Sequence, residues 1–201
     1  MRTKQLFLTL ALLFTMVQGT WAWYEYAYPE KTKPQLSQST YNGIRNIVSI
    51  KTEAELAYVT QHFDEYSDYD GGKGWWELNY SLEADLDMGT SYSWLPLGRV
   101  SYFITEFKGI FWGNGHTIKF KTWGWDGQYQ GLFASIGEDG KVYDVNVVCD
   151  INAANGYVGA IAGSNWGTIK NCTATVNITA DDIDFVGGIA GRSYGTIQDC
   201  G

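Results

Sequence analysis

One stretch of this chain repeats another without a gap. Residues 157–172 read YVGAIAGSNWGTIKNC and residues 185–200 read FVGGIAGRSYGTIQDC, an offset of 28 residues, with V-G, I-A-G, G-T-I and the closing Cys held in common. Residues 129–145, YQGLFASIGEDGKVYDV, align as a weaker first copy once one extra residue is placed in the turn. A unit of this length built from short strands cannot bury its own apolar face. Stacking units in register, with coils ~4.8 Å apart, buries that face continuously. The repeat therefore predicts an all-β fold, a right-handed parallel β-solenoid with a short N-terminal capping helix. A sandwich of antiparallel hairpins, the competing all-β architecture, gives no reason for a gapless offset.

Alternation inside the repeats supplies the strands. In the segments 142–151 and 169–178, Cys172, Ala174, Val176 and Ile178 point one way, and Thr173, Thr175, Asn177 and Thr179 the other. Val145, Val147, Cys149 and Ile151 take the matching face in the earlier copy. A period of two with β-branched residues marks half-buried strands. Gly163, Gly167, Gly191 and Gly195 flank the turns, where positive φ or close backbone approach is expected.

The three cysteines, at 149, 172 and 200, are an odd number and allow at most one internal bridge. In the stacked register Val145, Cys172 and Cys200 share one inward column, and Cys149 shares the next with Val176. Adjacent coils place Cys172 and Cys200 within disulfide reach. Because Val serves at the same positions, buried thiols acting as small hydrophobes are the plainer reading.

The N-terminus reads as an export signal over residues 1–22. Arg2 and Lys4 are followed by an apolar run from Leu6 to Val17 and by small residues at Gly19 and Ala22. The run is too short to span a ~30 Å bilayer, so a secreted or cell-surface protein without a membrane span is expected after signal removal. Losing Arg2 and Lys4 leaves 12 basic residues against 22 acidic ones, and the formal charge moves from −8 to −10. Such a chain, without a basic cluster, is a poor nucleic-acid partner.

Residues 23–46 are polar and mixed, with Pro29 and Pro34, and read as an extended segment. Residues 47–128 form a leader and the first coils, and residues 129–201 form the repeats, the last of them incomplete. In the leader, Thr52 and Glu55 make a capping box, and Leu56, Val59 and Phe63 give an apolar helical stripe. This helix is expected to cover a bare end of the stack. Residues 64–74, DEYSDYDGGKG, include Asp64, Asp68 and Asp70, but their spacing lacks the EF-hand pattern, which favours a solvated loop over a calcium site. Asn114-Gly115 is a tight-turn signal between strands.

The ordered series TEAELAYV, LEADLDMG, SWLPLG, FKGIFWGNGHTI and GLFASIG resembles the leader of bacterial surface proteins that carry GLUG-motif repeats. VGAIAGSNWGTIKNC and VGGIAGRSYGTIQDC look like the GLUG motif itself. The resemblance covers roughly residues 47–201, with Phe111-Trp112 standing where such leaders often have Phe-Asp. It implies an extracellular solenoid, of a kind found in bacterial adhesins and haemagglutinins and beside the catalytic domain of some immunoglobulin A-cleaving metallopeptidases. It supplies no activity of its own.

Catalytic constellations are scarce. His62 and His116 are the only histidines, and neither stands in a His-Glu-x-x-His motif or beside a G-x-S-x-G elbow. A β-helix polysaccharide lyase or glycosidase would need paired carboxylates. Asp85 with Asp87, or Asp181 with Asp182 and Asp184, are the available groups, and Asp at turns is commonplace for local bonding. No catalytic residue, metal ligand or cofactor is assigned. Trp166 and Tyr194 share a repeat position and are expected to stack as an outward ladder, while Trp123 and Trp125 precede the first repeat. Exposed aromatics of this kind pack on sugar rings or protein surfaces, though covering the turns is the plainer role. The expected function is a non-catalytic adhesion, binding or spacer module. Its expected partners are a host or matrix protein or a glycan, with further repeats or domains of the same polypeptide. A β-helix carbohydrate-active enzyme and an accessory region of a secreted metallopeptidase are the alternatives.

Overall fold

The first two passes of the chain through the repeats lay down four short strands in a fixed order, and the third lays down the first three of them, because alternating apolar residues are interrupted at regular intervals by turn residues. The protein, seen here in a computed structural model, is described over residues 31–36, 43–89, 93–100, 103–125, 128–180, 183 and 185–201. The signal segment 1–22 lies outside the described residues. The first strand of each pass (Tyr129–Gln130, Tyr157–Gly159, Phe185–Gly187) stacks into an entry sheet. The second (Phe133–Ile136, Ala162–Asn165, Ala190–Ser193) forms a glycine-bordered sheet. The third belongs to a seven-stranded spine running from Gln35–Leu36 through Ile47–Ile50, Asn79–Leu82, Ile110–Trp112, Lys141–Tyr143 and Thr168–Lys170 to Thr196–Gln198. The fourth makes the long sheet of Leu86–Asp87, Thr117–Trp125, Asn146–Ala153 and Thr173–Ala180. All pairings between successive coils are parallel, as the solenoid expectation requires.

The register refines the alignment of the first copy. Tyr129 pairs Tyr157 at the offset of 28, but Phe133 pairs Ala162 at 29 and Lys141 pairs Thr168 at 27. The first copy is therefore one residue short between Gly131 and Phe133 and two residues long in the turn around Gly137 and Gly140. The net excess is one residue, as the alignment anticipates.

The segments 142–151 and 169–178 are not single strands. Lys141–Tyr143 lies on the spine and Asn146–Ala153 on the long sheet, with a corner between them. Only beyond the corner does strict alternation hold, where Asn146–Ala153 alternates between partly or fully exposed and buried residues without a break. The corner residue takes the left-handed conformation in successive coils: Asn114 (φ 54°), Asp144 (φ 54°), Asn171 (φ 54°) and Asp199 (φ 52°). Asn and Asp tolerate this region because their short side chains bond locally. Asn114-Gly115 is a turn with both residues at positive φ, yet it bends the chain from one sheet to the next instead of closing a hairpin.

Positive φ is absent from the four repeat glycines, and close approach is their reason. A Cβ on Gly167 would lie 2.1 Å from the Gly140 carbonyl oxygen, and one on Gly195 2.1 Å from that of Gly167. Each glycine lets one coil settle onto the one before it.

Inward columns run through the stack. Val48, Tyr80, Phe111, Val142, Ile169 and Ile197 form one, and Phe133, Ala162 and Ala190 another. Early coils are wider: Ile47 pairs Asn79 at an offset of 32 and Tyr80 pairs Phe111 at 31. The wide coils are filled by Phe63, Tyr80, Phe107 and Phe111, with Phe133 of the first repeat packed against the last two, whereas the later repeat coils are filled mainly by Val, Ile, Ala and Cys. The Tyr80 hydroxyl donates to the Trp75 carbonyl, so the buried phenol is satisfied.

The expected helix, α1 (Glu53–His62), carries the Thr52/Glu55 capping box and buries Leu56 and Val59, with Phe63 buried at its C-cap. Spine strand Ile47–Ile50 is covered at its outer edge by Gln35–Leu36, paired antiparallel. A strand from the polar N-terminal segment therefore closes that edge beside the helix. The helix is much shorter than a membrane span, and no helix among the described residues is long and apolar enough to cross a bilayer.

Candidate binding cleft

The glycine-bordered sheet carries the most distinctive surface of the molecule. Ser135, Ser164 and Arg192 occupy one register column across its three strands. On one side of this column the entry sheet presents Tyr129, Tyr157 and Phe185, whose ring centroids are 5.0 Å and 4.7 Å apart in succession. On the other side the turns present Trp166 and Tyr194, stacked at 4.3 Å with 24° between planes. The Trp166 amide donates to the Ile136 carbonyl at 2.8 Å and the Tyr194 amide to that of Asn165, also at 2.8 Å. Parallel stacking therefore fixes both aromatic rows one coil apart.

Between the rows lies a cleft of about 580 Å³, within the range of small-molecule sites. Tyr129, Ser135, Ser164, Trp166 and Arg192 line it, and Trp76, Glu106 and Lys108 close its N-terminal end. The Arg192 guanidinium lies 4.3 Å from the Tyr157 ring centroid and 5.1 Å from that of Tyr194, and Nη1 donates to the Tyr157 hydroxyl at 3.1 Å. Cation–π contact of this kind holds a guanidinium in place at modest energy.

Two polar atoms of the cleft are shut from solvent without a hydrogen-bond partner: Ser164 Oγ and Arg192 Nε. Ser164 is 1% exposed. An unpaired buried polar group costs about 1–3 kcal/mol, and such groups ordinarily find partners. Arg192, Lys108 and Glu106 give the cleft a balance of one positive charge, against −8 for the whole chain.

Of the sequence candidates, Trp166 (39% exposed) and Tyr194 (63% exposed) come together as expected, and Trp166 lines the cleft. Trp123 and Trp125 end the long-sheet strand Thr117–Trp125, and their side chains lie outside the described residues. Sequence reasoning misses Ser135, Ser164, Arg192 and the row of Tyr129, Tyr157 and Phe185. The row has a signal, since an aromatic opens all three copies. Arg192 has a fainter one, since it replaces Ser in the column.

Of the carboxylates weighed for catalysis, Asp85 and Asp87 are engaged in local bonds. Asp85 accepts from the Thr117 amide at 2.8 Å and contacts His116 Nδ1 at 3.3 Å. The first of these bonds chiefly holds its carboxyl below the ordinary range, which opposes a general-acid role. Asp87 accepts from the Gly89 amide at 3.0 Å. Asp181, Asp182 and Asp184 lie outside the described residues. In the acidic loop, Asp68 pairs with Lys33 at 2.5 Å, and Asp70 with Lys73 at 2.6 Å and Asn46 at 2.8 Å. Among the described residues no three His, Cys, Asp or Glu side chains converge on a metal position. Cys149, Cys172 and Cys200 are free thiols, and Cys149 pairs with Val176 in the column expected for it.

Residues 154–179 match the GLUG motif, and in the structure they make one circuit through the entry, glycine-bordered, spine and long sheets. A protein of Evansella cellulosilytica, provisionally named a Gly-rich membrane protein, is 33% identical over an alignment 136 residues long that covers 63% of this chain and 15% of that protein. The chain thus spans 15% of the length of this relative. No solved structure matches the chain. Neither the motif nor the relative's name carries a catalytic function. The protein is a GLUG-repeat β-solenoid of stacked coils.

Proposed function

We propose that this GLUG-repeat solenoid is an exported, surface-displayed binding module that holds a glycan between its two aromatic rows and does not transform it. The carrying observation is the cleft itself, with aromatic rings on both sides and an unpartnered, buried Ser164 hydroxyl in its floor. Aromatic faces cover the C–H faces of sugars, and hydroxyls on the floor meet sugar hydroxyls. The name of the Evansella relative and the apolar N-terminal run support display at the cell envelope.

A peptide is the weaker occupant. Extended peptides gain most from pairing with a free sheet edge, whereas the cleft floor is a sheet face whose backbone groups already bond to adjacent coils.

A glycan array probed with the full chain tests the reading, together with Trp166→Ala and Tyr194→Ala. Binding to a subset of glycans, weakened about tenfold or more by either change at unaltered melting temperature, is expected. A pure spacer would bind nothing on the array, and an enzyme would shorten or unsaturate the bound polysaccharide. Either result would sink the proposal.

A further inference from the structure

Resting on the glycan reading, the geometry points to a ligand of narrower chemistry: we infer that the cleft selects sugars bearing a carboxylate, with Arg192 as the carboxylate receptor. Nη1 of Arg192 is taken by the Tyr157 hydroxyl, so the edge formed by Nε and Nη2 is the one left for a partner. A guanidinium edge matches a planar carboxylate with two parallel N–H···O bonds. Ser164 Oγ, at the paired register position in the adjacent strand, is the second unpartnered group. A carboxylate entering the cleft satisfies Nε and brings sugar hydroxyls to Ser164 in one step.

The cleft's charge selects further. With Arg192 and Lys108 opposed by Glu106, a single negative charge balances the site, and a doubly charged phosphate does not. Salt-screened repulsion from the acidic chain also disfavours a long polyanion over a short acidic oligosaccharide. The Arg192 side chain is partly buried and packed on rings, not ion-paired among the described residues. Turning the buried edge toward a ligand costs the modest ring contacts and the Tyr157 bond, which a two-bond carboxylate pair offsets.

A neutral solenoid site of the same shape has no need of a cation at this position. The two preceding coils place Ser there, and only the third places Arg, flanked by rings on both sides. Stacked coils of otherwise equal design thus differ at the one residue that would discriminate charge.

The test uses uronate-terminated disaccharides (glucuronate, galacturonate, mannuronate), each against its carboxyl-reduced neutral counterpart, with the full chain in tryptophan-fluorescence titrations. At least one uronate is expected to bind about tenfold more tightly than its reduced partner. Arg192→Met, which keeps the stem over Tyr157, is expected to erase that difference. A 6-sulfated neutral disaccharide and an acidic Glu-rich hexapeptide complete the panel. Equal binding of every matched pair overturns the carboxylate inference, as does a uronate preference that survives Arg192→Met, or tighter binding of the sulfate or the peptide. If the neutral sugars still bind and Trp166→Ala still weakens them, the glycan reading stands without it. If no sugar binds, both fall.

Discussion

Asn171 Nδ2 donates a 3.1 Å hydrogen bond to Asp144 Oδ1 one coil earlier, and both residues hold φ at 54°. The bond links two corners of the same kind, so side-chain chemistry repeats along the stack together with backbone conformation. Replacing Asn171 by Ala removes the bond and leaves a Cβ-bearing residue in the left-handed region without local compensation. A loss of ~1 kcal/mol is expected, a smaller one for Asn171→Gly, and a larger one for Asn171→Val. Urea unfolding of the three variants checks the order, and an unaffected Asn171→Val would refute the corner account.

Two glycines in the same coil separate close approach from mere abundance. Gly195→Ala drives a methyl group to 2.1 Å from the Gly167 carbonyl oxygen, and a loss of about 3 kcal/mol is expected from the forced backbone shift. Gly188 has open space and no positive φ, and it aligns with Ala160 of the preceding coil. Gly188→Ala should stabilise by about 0.4–1 kcal/mol through the unfolded chain. Chemical denaturation distinguishes the pair.

Burial pushes the Cys149 thiol up to about 12, with Asp150 adding to it, and burial likewise pushes Cys172 up to about 12. The folded protein keeps protons that the unfolded chain releases near pH 9, so this contribution is complete below pH 9 and is lost as pH rises toward 12. Replacing both by Val, the residue that serves at the matching positions of neighbouring coils, should flatten the alkaline fall in stability between about pH 8 and 11. At neutral pH Cys200, the more exposed thiol, should react with a maleimide first, and the other two only in denaturant.

Asp85 behaves in the opposite sense. Its carboxyl is held low chiefly by the Thr117 amide, so its contribution is present above the ordinary carboxylate pKa and fades as pH falls below it. Asp85→Asn is expected to flatten the acid limb of the stability curve and to leave glycan binding unchanged. A loss of polysaccharide turnover in that variant would reinstate the enzymatic alternative.

Much of the fold is legible in the chain's own pattern. The gapless repeat implies parallel stacking, and the columns of Val145 with Cys172 and of Cys149 with Val176 follow from counting along it. The capping box at Thr52 and Glu55 announces α1 because its partners are local in sequence. The corners are hidden because Asp144 interrupts an apolar pattern by a single residue, which alternation absorbs without obvious violation. The glycine-to-carbonyl contacts are hidden because they join coils, and nothing in one copy shows how closely the next will lie. The cleft is half-legible. Trp166 and Tyr194 stand out by exposure-prone type, but Arg192 gains its meaning only when Ser135 and Ser164 are placed beside it and Tyr157 against it.

The change in coil size has a consequence for how such a chain can lengthen. Offsets of 31 to 32 residues with aromatic filling give way to 27 to 29 with mainly Val, Ile, Ala and Cys. A narrow coil placed among the wide ones would leave a void, and a wide one among the narrow would not close. The stack therefore has a grain: its aromatic end is a fixed foundation, while the 28-residue coils are interchangeable bricks. Duplication of that brick adds another rung to both aromatic rows and leaves the foundation untouched, so the reach of the binding face can grow by copying alone.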